Sequence, residues 1–231
     1  MPDPVALAKD LIAVESVSRA SSTPVCDVVE SFMIQHNFEI ERLSYLDSEG
    51  VRKDSIIGKK GRGAGGLAFY SHVDTVPGEG WSTNPLRPLQ TNDRLIGLGS
   101  CDMKGPLAAT LCAAADLKHD QLDRAVYVAA TADEEISGGG ALQVNHESEL
   151  YNAELPRFGV IAEPTSMVPV YAHKGSARVV VTAYGRAAHT STDSGISATM
   201  IIAPFLAEVA ELAKIFRTDE SFWNIDFDPP T

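Results

Sequence analysis

Four apolar or glycine-punctuated runs of strand length, residues 67–71, 95–100, 125–131 and 158–162, each lead directly into acidic or imidazole side chains. His72 and Asp74 follow the first, Asp102 the second, Asp133-Glu134-Glu135 the third and Glu163-Pro164 the fourth. An Ala-rich helical stretch runs on from Asp102 to near Lys118. Apolar strands alternating with helices predict an α/β fold whose sheet is covered on both faces, since such strands have no polar face to turn to water. Ligands in such sheets bind beyond the carboxyl ends of the strands, where these side chains fall. One histidine among several carboxylates is the donor set of a hydrolytic zinc centre rather than a structural zinc knot.

Before that pattern begins, residues 5–14 are apolar at helical spacing, and Thr23-Pro24 reads as the N-cap and first turn of a helix reaching about residue 37. Residues 38–46 alternate like a strand, and 51–57 form a second, more polar candidate. Gly61-Arg62-Gly63-Ala64-Gly65-Gly66 matches G-x-G-x-x-G, but a dinucleotide site needs a helix after the glycines. A short apolar strand follows instead, so the glycines are expected to form a hairpin turn. After His173-Lys174-Gly175 the character changes. Residues 176–184 alternate like a strand, 196–216 form a long apolar helix interrupted by Pro204, and 227–231 end in a loop. This divides the chain into a catalytic metal-binding domain, residues 1–172, and a partial α+β lid or dimerisation domain, residues 173–231.

A net charge of -12 excludes nucleic acid and an anionic membrane surface as main partners, because phosphate binding needs clustered Lys and Arg. No run approaches the roughly 20 apolar residues of a membrane span. The first residues lack a basic segment followed by an apolar core, and three cysteines suit a reduced compartment, so the expected location is cytoplasmic.

Each candidate has a plainer reading. His72 and Asp74 share a strand face, which suits a metal-bound imidazole oriented by a carboxylate, or else a solvated loop pair. Asp102 suits a bridge between two cations, or an N-cap for the helix that follows. Glu134 and Glu135, as neighbours on an extended segment, should diverge, one towards metal and one free as a general base; otherwise they are a charged surface pair. Glu163 is a ligand or an ordinary strand-end acid. With no His or second Cys nearby, Cys101 is expected to be a small buried residue.

Four segments carry a family resemblance: His72-Val73-Asp74-Thr75-Val76-Pro77, Gly97-Leu98-Gly99-Ser100-Cys101-Asp102-Met103-Lys104-Gly105, Thr131-Ala132-Asp133-Glu134-Glu135 and Ala162-Glu163-Pro164-Thr165. In order and spacing they resemble the acetylornithine deacetylase / succinyl-diaminopimelate desuccinylase family, which also includes carboxypeptidase G and aminoacylase-type enzymes. The resemblance implies a zinc-peptidase-like sheet with two zinc (or cobalt) ions per site. It implies that His72 and Glu163 hold one ion, Asp102 bridges, Glu135 serves the second, Glu134 is the general base and Asp74 orients His72. It further implies a cis peptide after Asp102, and an oxyanion role for His189, within Gly185-Arg186-Ala187-Ala188-His189-Thr190, reaching across a homodimer. Glu163 in place of Asp leans towards deacylases and carboxypeptidases.

Two positions depart from the family pattern: Ser197 stands where Asn is usual and Glu15 where Pro is usual. The family chain is longer, completing its lid and returning with a late histidine; no His follows His189 here. The expectation is therefore a C-terminally truncated chain with an incomplete second metal position. Its expected function is zinc-dependent hydrolysis of an amide in an N-acyl amino acid or small peptide. The alternative is a truncated, inactive metal-binding remnant or interaction module.

Overall fold

The structure, a computed structural model, describes residues 1–227, so all but the first residue of the loop expected at 227–231 lies outside the described residues. The chain falls into two compact units, Met1–Met167 and Val168–Thr231.

In the first unit, α1 (Pro4–Ile12) and α2 (Thr23–Gln35) precede the strands β1 (Glu39–Leu46), β2 (Arg52–Lys60) and β3 (Leu67–His72). A two-residue ladder, β4 (Leu89–Gln90) with β5 (Leu95–Ile96), leads into α3 (Lys104–Ala115). Strand β6 (Val126–Thr131), helices α4 (Gly139–Glu147) and α5 (Glu149–Ala153), and strand β7 (Phe158–Ile161) complete the unit. The sheet order is β1-β2-β6-β3-β7. β2 runs antiparallel to both β1 and β6, whereas β3 runs parallel to both β6 and β7. The carboxyl ends of β3, β6 and β7 therefore lie at one end of the sheet.

Burial on both faces explains the apolar runs. Along β6, Val128 and Ala130 pack with α1, α2 and α3, while Tyr127 and Ala129 turn to the other face with Val144 of α4. On β2, Ile56 and Ile57 divide in the same way. The polar start of β2 is more buried than its composition suggests: Lys53, Asp54 and Ser55 are all fully buried.

The glycine segment corrects the hairpin expectation. β2 and β3 are not neighbours, because β6 lies between them, and residues 61–66 cross beneath the start of β6. A Cβ on Gly66 would lie 1.8 Å from the carbonyl oxygen of Ala125, so this crossing needs a residue without a side chain. The chain continues into a strand rather than a helix.

The second unit holds one long helix, α6 (Ala198–Thr218), with Pro204 inside it. Ser197, the departure from the family's Asn, caps it by accepting a hydrogen bond from the Met200 amide at 3.3 Å. The strand expected at 176–184 does not form: those residues are irregular, because no segment among the described residues supplies a ladder partner. No helix of the described residues is long and apolar enough to cross a membrane.

Candidate metal centre

His72 is the last residue of β3, opposite Thr131 at the end of β6. Its Nδ1 lies 2.9 Å from the backbone carbonyl oxygen of Asp74 and must donate to it, since a carbonyl only accepts. That leaves Nε2 facing a group of carboxylates: Asp102 Oδ1 at 2.9 Å, Glu163 Oε1 at 3.7 Å and Glu134 Oε2 at 3.9 Å. Two donor groups share this histidine, His72 with Asp102 and Glu163, and His72 with Glu134 and Glu135. Within each, the donor atoms lie within 4.8 Å of one another.

Asp102 does not cap α3; Met103 occupies the N-cap position and no side chain serves it. The Asp102–Met103 peptide is cis. Cys101, expected to be buried, is exposed, because it sits on the turn that projects Asp102 rather than beneath it.

Glu134 and Glu135 also differ from expectation. They lie in a turn rather than an extended segment, and both carboxylates approach His72. Asp74 accounts for this. Only 2% exposed, it accepts the Glu134 amide on Oδ1 at 3.1 Å and the Glu135 amide on Oδ2 at 3.2 Å. Its carboxylate is 3.6 Å from His72 Nδ1, farther than its own carbonyl, so His72 is oriented chiefly by Asp74's backbone.

Charge in the group is unbalanced. Burial, then the Asp102 carboxylate, push the Glu135 and Glu163 carboxyls up. Burial works to lower the His72 pKa, but the Asp74 and Asp102 carboxylates outweigh it and raise it. Anions crowded around one imidazole nitrogen are relieved by a divalent cation, and a set of one nitrogen and several oxygens fits zinc. The residues present therefore fit the ion that such a centre needs.

His189 lies in the second unit on an exposed turn, its Nδ1 2.7 Å from the Ser191 hydroxyl, and belongs to neither donor group.

Residues 68–220 match the model of Peptidase family M20/M25/M40. The chain belongs to this family. Its relatives include the acetylornithine deacetylases of Photorhabdus laumondii, 33% identical over 94% of this chain, and of Myxococcus xanthus, 34% identical over 96%. The chain spans 57% of the length of each. Among solved structures, a tripeptidase from Staphylococcus aureus aligns with TM-score 0.58 at 18% identity, over 88% of this chain and 55% of that one. Human carnosine dipeptidase 1 aligns with TM-score 0.57 at 20% identity, over 68% of this chain and 38% of that one. Both share the family's mixed α/β architecture.

Ser18, Tyr45 and Lys53, which contact Asp74 or Asp133 beside these donor groups, escape sequence reasoning. Ser18 donates to Asp74 Oδ2 at 2.8 Å, and Tyr45 donates to Asp133 Oδ2 at 2.6 Å. The one available signal was Asp133, an acid directly preceding the glutamate pair. A cavity of about 510 Å³ opens beside His72, Glu134 and Glu163, walled by Tyr70, Val144, Tyr151 and Ile161.

Proposed function

We propose that this chain carries the centre of a metal-dependent amidohydrolase acting on an N-acyl amino acid or small peptide, of deacylase or carboxypeptidase type. The observation that carries the reading is the meeting of His72, Asp102, Glu134, Glu135 and Glu163 at the carboxyl ends of three parallel strands and the loop before α3. In this reading residues 1–172 hold the chemistry, and residues 173–231, with His189, form part of a lid that pairs with a second copy.

His72, Asp102 and Glu163 would hold one divalent cation, zinc in the first instance, and Glu135 with Asp102 a second. When bound, such an ion lowers the pKa of water towards 7 and polarises the substrate carbonyl. Glu134, about half exposed, is free to meet solvent and substrate. Its carboxylate accepts the proton of the attacking water and returns it to the amide nitrogen as the carbon–nitrogen bond breaks. The His72 Nδ1–H stays on the Asp74 carbonyl, which would leave Nε2 as the nitrogen that holds an ion. The cavity beside Glu134 has room for the acyl group or an apolar side chain.

The test is hydrolysis of N-acetyl amino acids with added zinc, run beside Glu134→Ala. General acid–base catalysis contributes about 10²–10⁴-fold, so the variant should lose that factor while still binding zinc. Equal rates contradict the proposal. Zinc titrated into metal-free protein should show one tight and one weaker equivalent, because the second position has fewer protein ligands; two equally tight equivalents contradict it.

A further inference from the structure

Lys53 lies outside every motif and touches no candidate metal ligand, yet it is fully buried on the second strand of the sheet. A buried ammonium is costly unless its donors are all met. Here Nζ donates to the carbonyl oxygens of Ser18 and, at 2.9 Å, Ala20, and it ion-pairs with Asp133 Oδ1 at 3.0 Å. Asp47 Oδ2 stands off at 3.5 Å. We infer that Lys53 is a positioning residue that sets the Glu134–Glu135 turn from both of its sides. This rests on the reading of that turn as part of the catalytic centre.

One arm runs through Asp133. Tyr45, directly opposite Lys53 in the β1–β2 ladder, donates to Asp133 Oδ2, so one cross-strand pair meets both oxygens of this carboxylate, Oδ2 by a hydrogen bond and Oδ1 by charge alone. Burial, then the Asp133 carboxylate, push the Tyr45 phenol up, which keeps it a donor. Asp133 has φ 60, in the left-handed region that side chains rarely adopt, and such conformations persist only where their surroundings over-determine them. Its carbonyl accepts from the amides of Ser137 at 2.9 Å and Gly138 at 2.6 Å, closing the turn on which both glutamates ride.

The other arm runs through Ser18. Its carbonyl receives Lys53, and its hydroxyl donates to Asp74, whose two oxygens accept the Glu134 and Glu135 amides. Lys53 therefore meets the turn one residue before Glu134, and again beneath both glutamate amides. A misplacement of about 1 Å in such a turn can cost about 10²-fold in rate.

Hydrogen exchange of the metal-free full chain tests this without relying on activity. In Lys53→Met, exchange across residues 133–138 should rise about tenfold while β6 (Val126–Thr131) keeps its protection within about twofold. Zinc affinity should fall about tenfold, the scale for groups that orient ligands. Tyr45→Phe and Ser18→Ala cut one arm each, should show the same pattern in smaller degree, and decide the matter if Lys53→Met does not fold. Loosening of β6 in step with the turn, or a turn that stays protected with zinc affinity unchanged, overturns the inference and leaves Lys53 a purely structural cation. A parent enzyme without hydrolytic activity would count against the proposed reaction, while the exchange pattern would still decide the role of Lys53.

Discussion

The outer strands of the sheet are defended differently. On β1, Arg42 draws Asp27, Glu30 and Asp54 around its guanidinium at 2.5–2.7 Å, tying the edge to α2 and to β2. On β7 the sequence is Phe-Gly-Val-Ile, all four residues are exposed, and none is charged. Charges along an edge discourage pairing with another chain, whereas an uncharged apolar edge invites it. The contrast reaches the candidate centre. His72, Glu134 and Glu135 follow β3 and β6, each flanked by strands on both sides, while Glu163 follows β7, which has a single neighbour among the described residues. Preorganisation is therefore uneven around one imidazole.

The largest effect separates the interior ligand from the edge ligand. His72→Ala removes the nitrogen donor of the His72/Asp102/Glu163 group and should lower zinc affinity by about 100-fold or more, whereas Glu163→Ala leaves that nitrogen and the Asp102 carboxylate in place and should cost about tenfold. Calorimetric titration of metal-free protein reads both values. Equal losses would erase the distinction between interior and edge.

A smaller effect belongs to the charged edge, at Asp54 of β2, the partner of Arg42. Burial alone would raise the Asp54 carboxyl, but hydrogen bonds from Arg52, Ser44 and Arg42 outweigh it and hold the group well below the usual carboxylate range. A carboxyl depressed in the folded state stabilises above its unfolded pKa of about 3.9, and that stabilisation is lost as pH falls towards the folded value. Asp54→Asn should therefore cost about 3 kcal/mol near neutrality. Between about pH 5 and about pH 2 it should lose less further stability than the parent, as denaturant midpoints at the two pH values would show. Parallel losses would mean that Asp54 is not the acid-sensitive group.

The smallest effect in stability lies on β7. Phe158→Lys places a charge on the apolar edge and should change unfolding free energy by no more than about 0.5 kcal/mol. If this edge pairs with a second copy, light scattering should show concentration-dependent association in the parent and less of it in the variant. No association in the parent, or the same association in both, would mean that the apolar edge does not recruit another chain.

The strand ends were legible because several apolar runs stop at acidic or imidazole side chains, and plainer readings that suit one such end do not suit them all together. His72, Asp102, Glu134, Glu135 and Glu163 all meet on that basis. Local pattern carried less information about pairing. Gly61 to Gly66 read as a hairpin because sequence neighbours usually pair, while β6, which arrives some sixty residues later, takes the intervening place. The alternation at 176–184 marks strand propensity, and a strand also needs a partner. Lys53 stayed hidden because Arg52-Lys53-Asp54-Ser55 looks like solvated surface; only the folded sheet shows that its ammonium has exchanged water for the carbonyls of Ser18 and Ala20 and the Asp133 carboxylate. Asp74 was expected to orient His72, but its reach to two amides depends on a turn that the adjacent glutamates do not announce.

Anomalous diffraction at the zinc edge, from crystals grown with zinc, shows whether these side chains hold an ion. A peak is expected about 2.0–2.2 Å from His72 Nε2 and from carboxylate oxygens of Asp102 and Glu163. A bound ion that leaves His72 Nε2 uncoordinated, or crystals with no peak among these side chains, would contradict the proposed centre.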